Sequence, residues 1–80
     1  MWIMTQLKNT IVNSDNMHTI FIDRQKGFIK ARLDNSPEGI IVLGSYDKDK
    51  IDLVFNDILD ALTDDGQKYY YRMPLGGEVK

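Results

Sequence analysis

IIVLGSYDKDKIDLVFNDILDALTDDG, residues 40–66, decides the fold. Ile40 to Tyr46 reads as a short, strongly apolar strand that turns at Gly44-Ser45-Tyr46 and belongs at the centre of a sheet. It feeds one amphipathic helix: Ile51, Val54, Phe55, Ile58, Leu59 and Leu62 recur at helical spacing and cover one side. Asp47 or Asp49 is expected to cap the helix N-terminus, where aspartates suit the positive end of the dipole. Asp64-Asp65-Gly66 is expected to end the helix, with Gly66 in the left-handed C′ position. Leu53 stands opposite the apolar stripe, among Asp57, Asp60 and Asp64.

Every other segment reads as strand or turn. Trp2 to Gln6 is a first short strand, Lys8-Asn9 a turn, Thr10 to Asn13 a second strand, and Ser14-Asp15-Asn16 a turn cluster. From His18 to Gln25 side chains alternate, with Ile20, Ile22 and Arg24 on one face and Thr19, Phe21 and Asp23 on the other. Lys26-Gly27 forms a tight hairpin turn. In Phe28 to Asp34 the apolar face is Ile29, Ala31 and Leu33, and the other carries Phe28, Lys30, Arg32 and Asp34. Asn35-Ser36-Pro37-Glu38-Gly39 is a second hairpin loop, with Pro and Gly supplying the turn. Gln67 to Met73 is a last strand that Pro74 keeps from continuing in a central position. The expected fold is α+β: a curved antiparallel sheet of five or six strands, or a half-open barrel, with the helix packed across its apolar face. Residues 1–74 form one domain, and Leu75 to Lys80 a flexible tail.

Eighty residues make one domain with a thin core, and folds of this size often gain stability by oligomerising. There is no cysteine, which excludes disulfides, zinc knuckles and thiol chemistry. The N-terminus lacks a basic, apolar leader and no segment approaches the roughly 20 apolar residues of a membrane span, so a cytoplasmic protein is expected. The net charge of −2 is unevenly placed. Asp47 to Asp65 holds seven aspartates against two lysines, a sum of −5; the remainder holds eight basic against five acidic residues, a sum of +3. An acidic helix on a basic sheet leaves two readings, a solvated helix face or basic sheet residues turned toward an anionic ligand.

The reactive inventory is thin. His18 is the single histidine, and Ser14, Ser36 and Ser45 stand in no nucleophile-elbow pattern. Asp47-Lys48-Asp49 begins like a calcium loop, but the remaining ligands and the glycine do not follow. Gly76-Gly77 lacks the strand-to-helix setting of a phosphate loop. No catalytic residue, metal or cofactor is expected. Binding is better supplied. Lys30 and Arg32 project from one face of a strand, Arg24 and Lys26 lie across the hairpin, and Arg72 sits on the last strand. Tyr69, Tyr70 and Tyr71 put rings on both faces of that strand, and tyrosine stacks on bases while arginine forks match phosphate oxygens. Against this stands the plain reading, in which the tyrosines pack under the helix and Lys30 and Arg32 are solvated strand residues. Net acidity and the absence of a basic recognition helix disfavour extended nucleic acid.

Trp2-Ile3-Met4-Thr5-Gln6, Ile11-Val12-Asn13, Leu43-Gly44-Ser45-Tyr46 and Met73-Pro74 give the segment order its character. In that order the chain resembles, over nearly its whole length, a family of small, mostly uncharacterised proteins of Gram-positive bacteria and their phages. One departure is a Tyr46-to-helix stretch about a residue shorter than usual, with Asp47 or Asp49 in place of a threonine cap. The resemblance supplies no catalytic residues. It implies a phage-associated setting in the host cytoplasm and action against host defence. The expectation is therefore a non-catalytic homo-oligomer that sequesters a small, cyclic nucleotide immune signal through Trp2, Lys30, Arg32, Tyr70 and Arg72. The alternative is a protein inhibitor that engages a host defence effector or nuclease through its acidic helix. Neither involves a membrane.

Overall fold

The structure is a computed structural model that describes residues 1–33, 39–64 and 69–79. Its strands are β1 (Trp2–Met4), β2 (Ile11–Asn13), β3 (Thr19–Asp23), β4 (Phe28–Arg32), β5 (Ile40–Ser45) and β6 (Tyr70–Arg72), with one α-helix, α1 (Ile51–Leu62), between β5 and β6. Among the described residues, the α+β class and the single α-helix agree with the sequence reading. The sheet differs. Six strands divide into two three-stranded sheets, ordered β2-β1-β6 and β3-β4-β5, which do not close into a barrel among the described residues. The β1–β6 pairing is parallel, with Ile3 beside Tyr71. A single antiparallel sheet is thereby corrected: β1 and β6 come from opposite ends of the chain, and the long connection between them, which contains β2 to β5 and α1, gives the crossover that a parallel pair requires.

Local chemistry accounts for each hairpin. Gly27 takes φ +72 in the β3–β4 turn, a left-handed conformation that suits glycine, and its N–H donates to the Asp23 carbonyl at 2.9 Å. Pairing of β3 with β4 sets Ile20 beside Ala31 and Ile22 beside Ile29 on the core side. Ile29 and Ala31 are fully buried, as their alternation predicts. A bulge between Ile29 and Lys30 shifts β5 by one residue, so Gly44 faces Ile29 and Val42 faces Lys30. Between β1 and β2 the chain turns through Lys8 at φ 61, braced by the buried Thr5, whose hydroxyl donates to Asn9 Oδ1 at 3.2 Å.

The core lies between the sheets and α1, from Ile3, Tyr71 and Met73 on one side through Ile29, Ala31, Leu43 and Tyr46 to Ile51, Val54, Ile58 and Ala61. The helix packs on β4. Its buried stripe is narrower than the apolar pattern. Leu59 and Leu62 are 52% and 41% exposed, because they lie on the flank of the helix beyond the edge of its contact with the sheet. The aspartate caps are also corrected: Lys50 stands at the cap position without a side-chain capping bond, and Asp47 contributes its backbone carbonyl, which accepts from the N–H groups of Lys50 and Ile51 at 2.9 Å. Thr63 follows the last turn, its hydroxyl donating to Leu59 O at 3.0 Å. Gly66 and the Asn35–Glu38 part of the second loop lie outside the described residues.

Gln6 joins the two sheets. Its N–H donates to Leu43 O at 2.8 Å, its Oε1 accepts from Ser45 N–H at 2.8 Å, and its Nε2 donates to Ser45 O at 3.0 Å and to Pro74 O at 3.3 Å. Pro74 O accepts in addition from the Tyr46 hydroxyl at 2.7 Å. After Pro74, Gly76–Glu78 forms one 3-10 turn, closed by Leu75 N–H on Glu78 Oε1 at 2.7 Å, and Val79 packs against the core.

Candidate functional site

Strand alternation sorts the three consecutive tyrosines. Tyr71 points inward and is buried, its hydroxyl donating to Asp57 Oδ2 of α1 at 2.8 Å. Burial, with Asp57 beside it, raises its pKa well above the usual phenol value. Tyr70 points outward and is 47% exposed; Tyr69, just before the strand, is also exposed. In the parallel register Tyr70 lies beside Trp2, which is 51% exposed, and Arg72 lies beside Met4. Since residues two apart share a face, Trp2, Tyr70 and Arg72 stand together on the outer face of the β2-β1-β6 sheet. The Arg72 guanidinium meets Glu78 Oε2 at 3.4 Å, a long contact between two exposed groups. Trp2 also borders a groove of about 210 Å³ lined by Ile11, Val12, Asn13, Asn16 and Leu33.

Lys30 and Arg32 occupy the outer face of the other sheet, β3-β4-β5. Lys30 Nζ donates to Asp23 Oδ2 at 3.0 Å and lies 5.7 Å from the centre of the Phe28 ring. That hydrogen bond holds the Asp23 carboxyl below the usual carboxylate range. Arg32 sits between Thr19 and Ile40, and its Nε is buried without a partner among the described residues. The five residues expected to form one site therefore fall into two sets within a protomer: Trp2, Tyr70 and Arg72 on one sheet, Lys30 and Arg32 on the other.

The acidic helix is partly engaged. Asp52 holds Arg24 through two hydrogen bonds, at 3.0 and 3.3 Å, which lower the Asp52 pKa and raise that of Arg24. His18 Nδ1 lies 2.9 Å from the hydroxyl of its neighbour Thr19. Among the described residues no group of three or more His, Cys, Asp or Glu is arranged to hold a metal, and no helix is long and apolar enough to cross a membrane.

A groove beside α1 escaped the sequence reading. It measures about 290 Å³ and lies between the helix flank (Phe55, Leu59 and Leu62) and the segment carrying Met17, His18 and Ile20. Its signal was present in the width of the apolar stripe, which exceeds what one helix can bury on one sheet. No protein-family model, curated protein or solved structure matches the chain.

Proposed function

We propose that this chain is a non-catalytic binding protein that captures a small nucleotide on the outer face of the β2-β1-β6 sheet. The observation that carries the reading is the in-register placement of Trp2 beside Tyr70, both half-exposed, with Arg72 two residues along the same face. Two adjacent aromatic rings offer a base a stacking surface, worth about 1–3 kcal/mol per base. Arg72 supplies a forked donor for a phosphate, and its long contact with the exposed Glu78 is cheaply exchanged. Lys30 and Arg32 belong to the other sheet, and in a homo-oligomer a second protomer would bring its own pair to the ligand.

The cyclic immune signal, the host cytoplasm and the anti-defence role rest on the family resemblance. In that setting the protein acts by sequestration, leaving its ligand unchanged. The acidic-helix alternative has less support, because Asp52 and Asp57 already accept hydrogen bonds from Arg24 and Tyr71.

Isothermal calorimetry of the full chain against cyclic di- and trinucleotides and ADP-ribose derivatives tests the proposal. The expected result is saturable heat with at least one of these, recovery of intact ligand, and roughly tenfold weaker binding by Trp2→Ala. Absence of heat across the panel at tens of micromolar protein, or recovery of converted ligand, overturns it.

A further inference from the structure

Each edge strand exposes backbone donors and acceptors that pair readily with another chain unless something protects them. Three of the four edges here are short or occupied. β2 and β6 are three residues long, and Pro74 follows β6 closely. β5 carries the bulge and is bonded by Gln6 at Leu43 and Ser45. β3 differs. It is five residues long, Thr19-Ile20-Phe21-Ile22-Asp23, with no proline or lysine within it. Among the described residues no backbone bond from outside its sheet reaches Thr19 to Ile22. Alongside it runs the apolar groove lined by Met17, Ile20, Phe55, Leu59 and Leu62.

The geometry points to β3 as the dimerisation edge, its occupant being the β3 strand of a second copy in antiparallel register about a two-fold axis at Phe21. The sequence of β3 is self-complementary in that register. Phe21 meets Phe21, Ile20 meets Ile22 on the core side, and Thr19 meets Asp23 on the outer side, where a hydroxyl can donate to a carboxylate. Arg32, beside Thr19 in register, then lies in the same cross-strand row as the Asp23 of the second copy. The opposite charges of Arg32 and that Asp23 in one row make charge complementarity favour the same arrangement. Two three-stranded sheets become one six-stranded sheet. Both helices lie on its core side, and the exposed Leu59 and Leu62 flanks face each other across the seam. Such an edge uses fewer residues than the roughly 20–30 a side of a standard interface, which places it among weak, reversible associations. The inference does not rest on the nucleotide reading, since its test contains no nucleotide.

The chain has no cysteine, so single cysteines report the seam directly. Residues directly opposed in antiparallel strands have Cα atoms about 4.5–5.5 Å apart, within disulfide range. Under a mild oxidant, Phe21→Cys is expected to form a disulfide-linked dimer at least about tenfold faster than Ile11→Cys on the edge of β2. Sedimentation equilibrium of the unmodified chain should show reversible association from 9.2 kDa to twice that mass. Thr19→Asp, which opposes like charges twice across the axis, should weaken association by about tenfold, and Thr19→Lys should preserve it. Far-ultraviolet circular dichroism confirms that each variant is folded. A 9.2 kDa species up to millimolar concentration overturns the inference, as do equal crosslinking of the two cysteine variants or equal effects of the two Thr19 variants.

Discussion

Replacing Gln6 with alanine is expected to destabilise the fold by about 2–3 kcal/mol. The side chain accepts from Ser45 N–H at 2.8 Å and donates to Ser45 O at 3.0 Å and Pro74 O at 3.3 Å. A typical intramolecular hydrogen bond contributes a net of about 0.5–1.5 kcal/mol; two at ordinary length and one long one give this sum. Ser45 is exposed, so water can satisfy its freed groups and the full penalty of a buried unpaired group does not apply. For a domain of this size the loss lowers the Tm by about 10–20 °C. Urea titration followed by circular dichroism measures it. Gln6→Glu sharpens the test. The carboxylate still accepts from Ser45 N–H but faces the Ser45 and Pro74 carbonyls without a proton to donate. This variant should be destabilised at pH 7 and recover part of its stability below about pH 4, where it protonates. A loss under about 0.5 kcal/mol for Gln6→Ala, or a Gln6→Glu protein as stable as the original at pH 7, would refute the idea that Gln6 ties the two sheets together.

Other expectations follow from the same geometry. Gly44→Ala would place a Cβ 2.7 Å from the Tyr46 ring, which is anchored through its hydroxyl at Pro74 O, so overpacking should cost about 1–3 kcal/mol by thermal melting. Tyr46 and Tyr71 have raised pKa values in the fold, so the stability tied to their protonated forms is complete below the unfolded value of about 10 and declines as pH rises above it. Tyr71→Phe should flatten that alkaline decline in melts between pH 9 and about 11.5. Asp23 and Asp52 have lowered pKa values, so their contribution holds above about pH 4 and is lost as pH falls through the lowered values; Asp23→Asn should reduce the acid sensitivity of unfolding.

Where pattern is local, the sequence was readable. Alternation placed Ile29 and Ala31 inside and Lys30 and Arg32 outside, and the turn at Gly27 marked the β3–β4 hairpin. The helix was legible from Ile51, Val54 and Ile58. Periodicity could not show which distant strands pair, and so missed the parallel β1–β6 contact and the division into two sheets. Nor could it show how wide a helix face the sheet would cover, which left Leu59 and Leu62 wrongly inside. Of the candidate site, the juxtaposition of Trp2 with Tyr70 depends on that same distant pairing. The split between Arg72 and the Lys30–Arg32 pair depends on there being two sheets. The joint made by Gln6 left no mark in the sequence, because a glutamine after a strand carries no periodic signal.

Trp2 is the single tryptophan, and it stands half-exposed beside Tyr70. Its fluorescence, followed while cyclic nucleotides are titrated into the purified chain, reports directly on the binding surface. Saturable quenching that Arg72→Ala weakens severalfold is the predicted result. Emission that stays constant, or that changes equally in Arg72→Ala, would contradict a nucleotide held on that face.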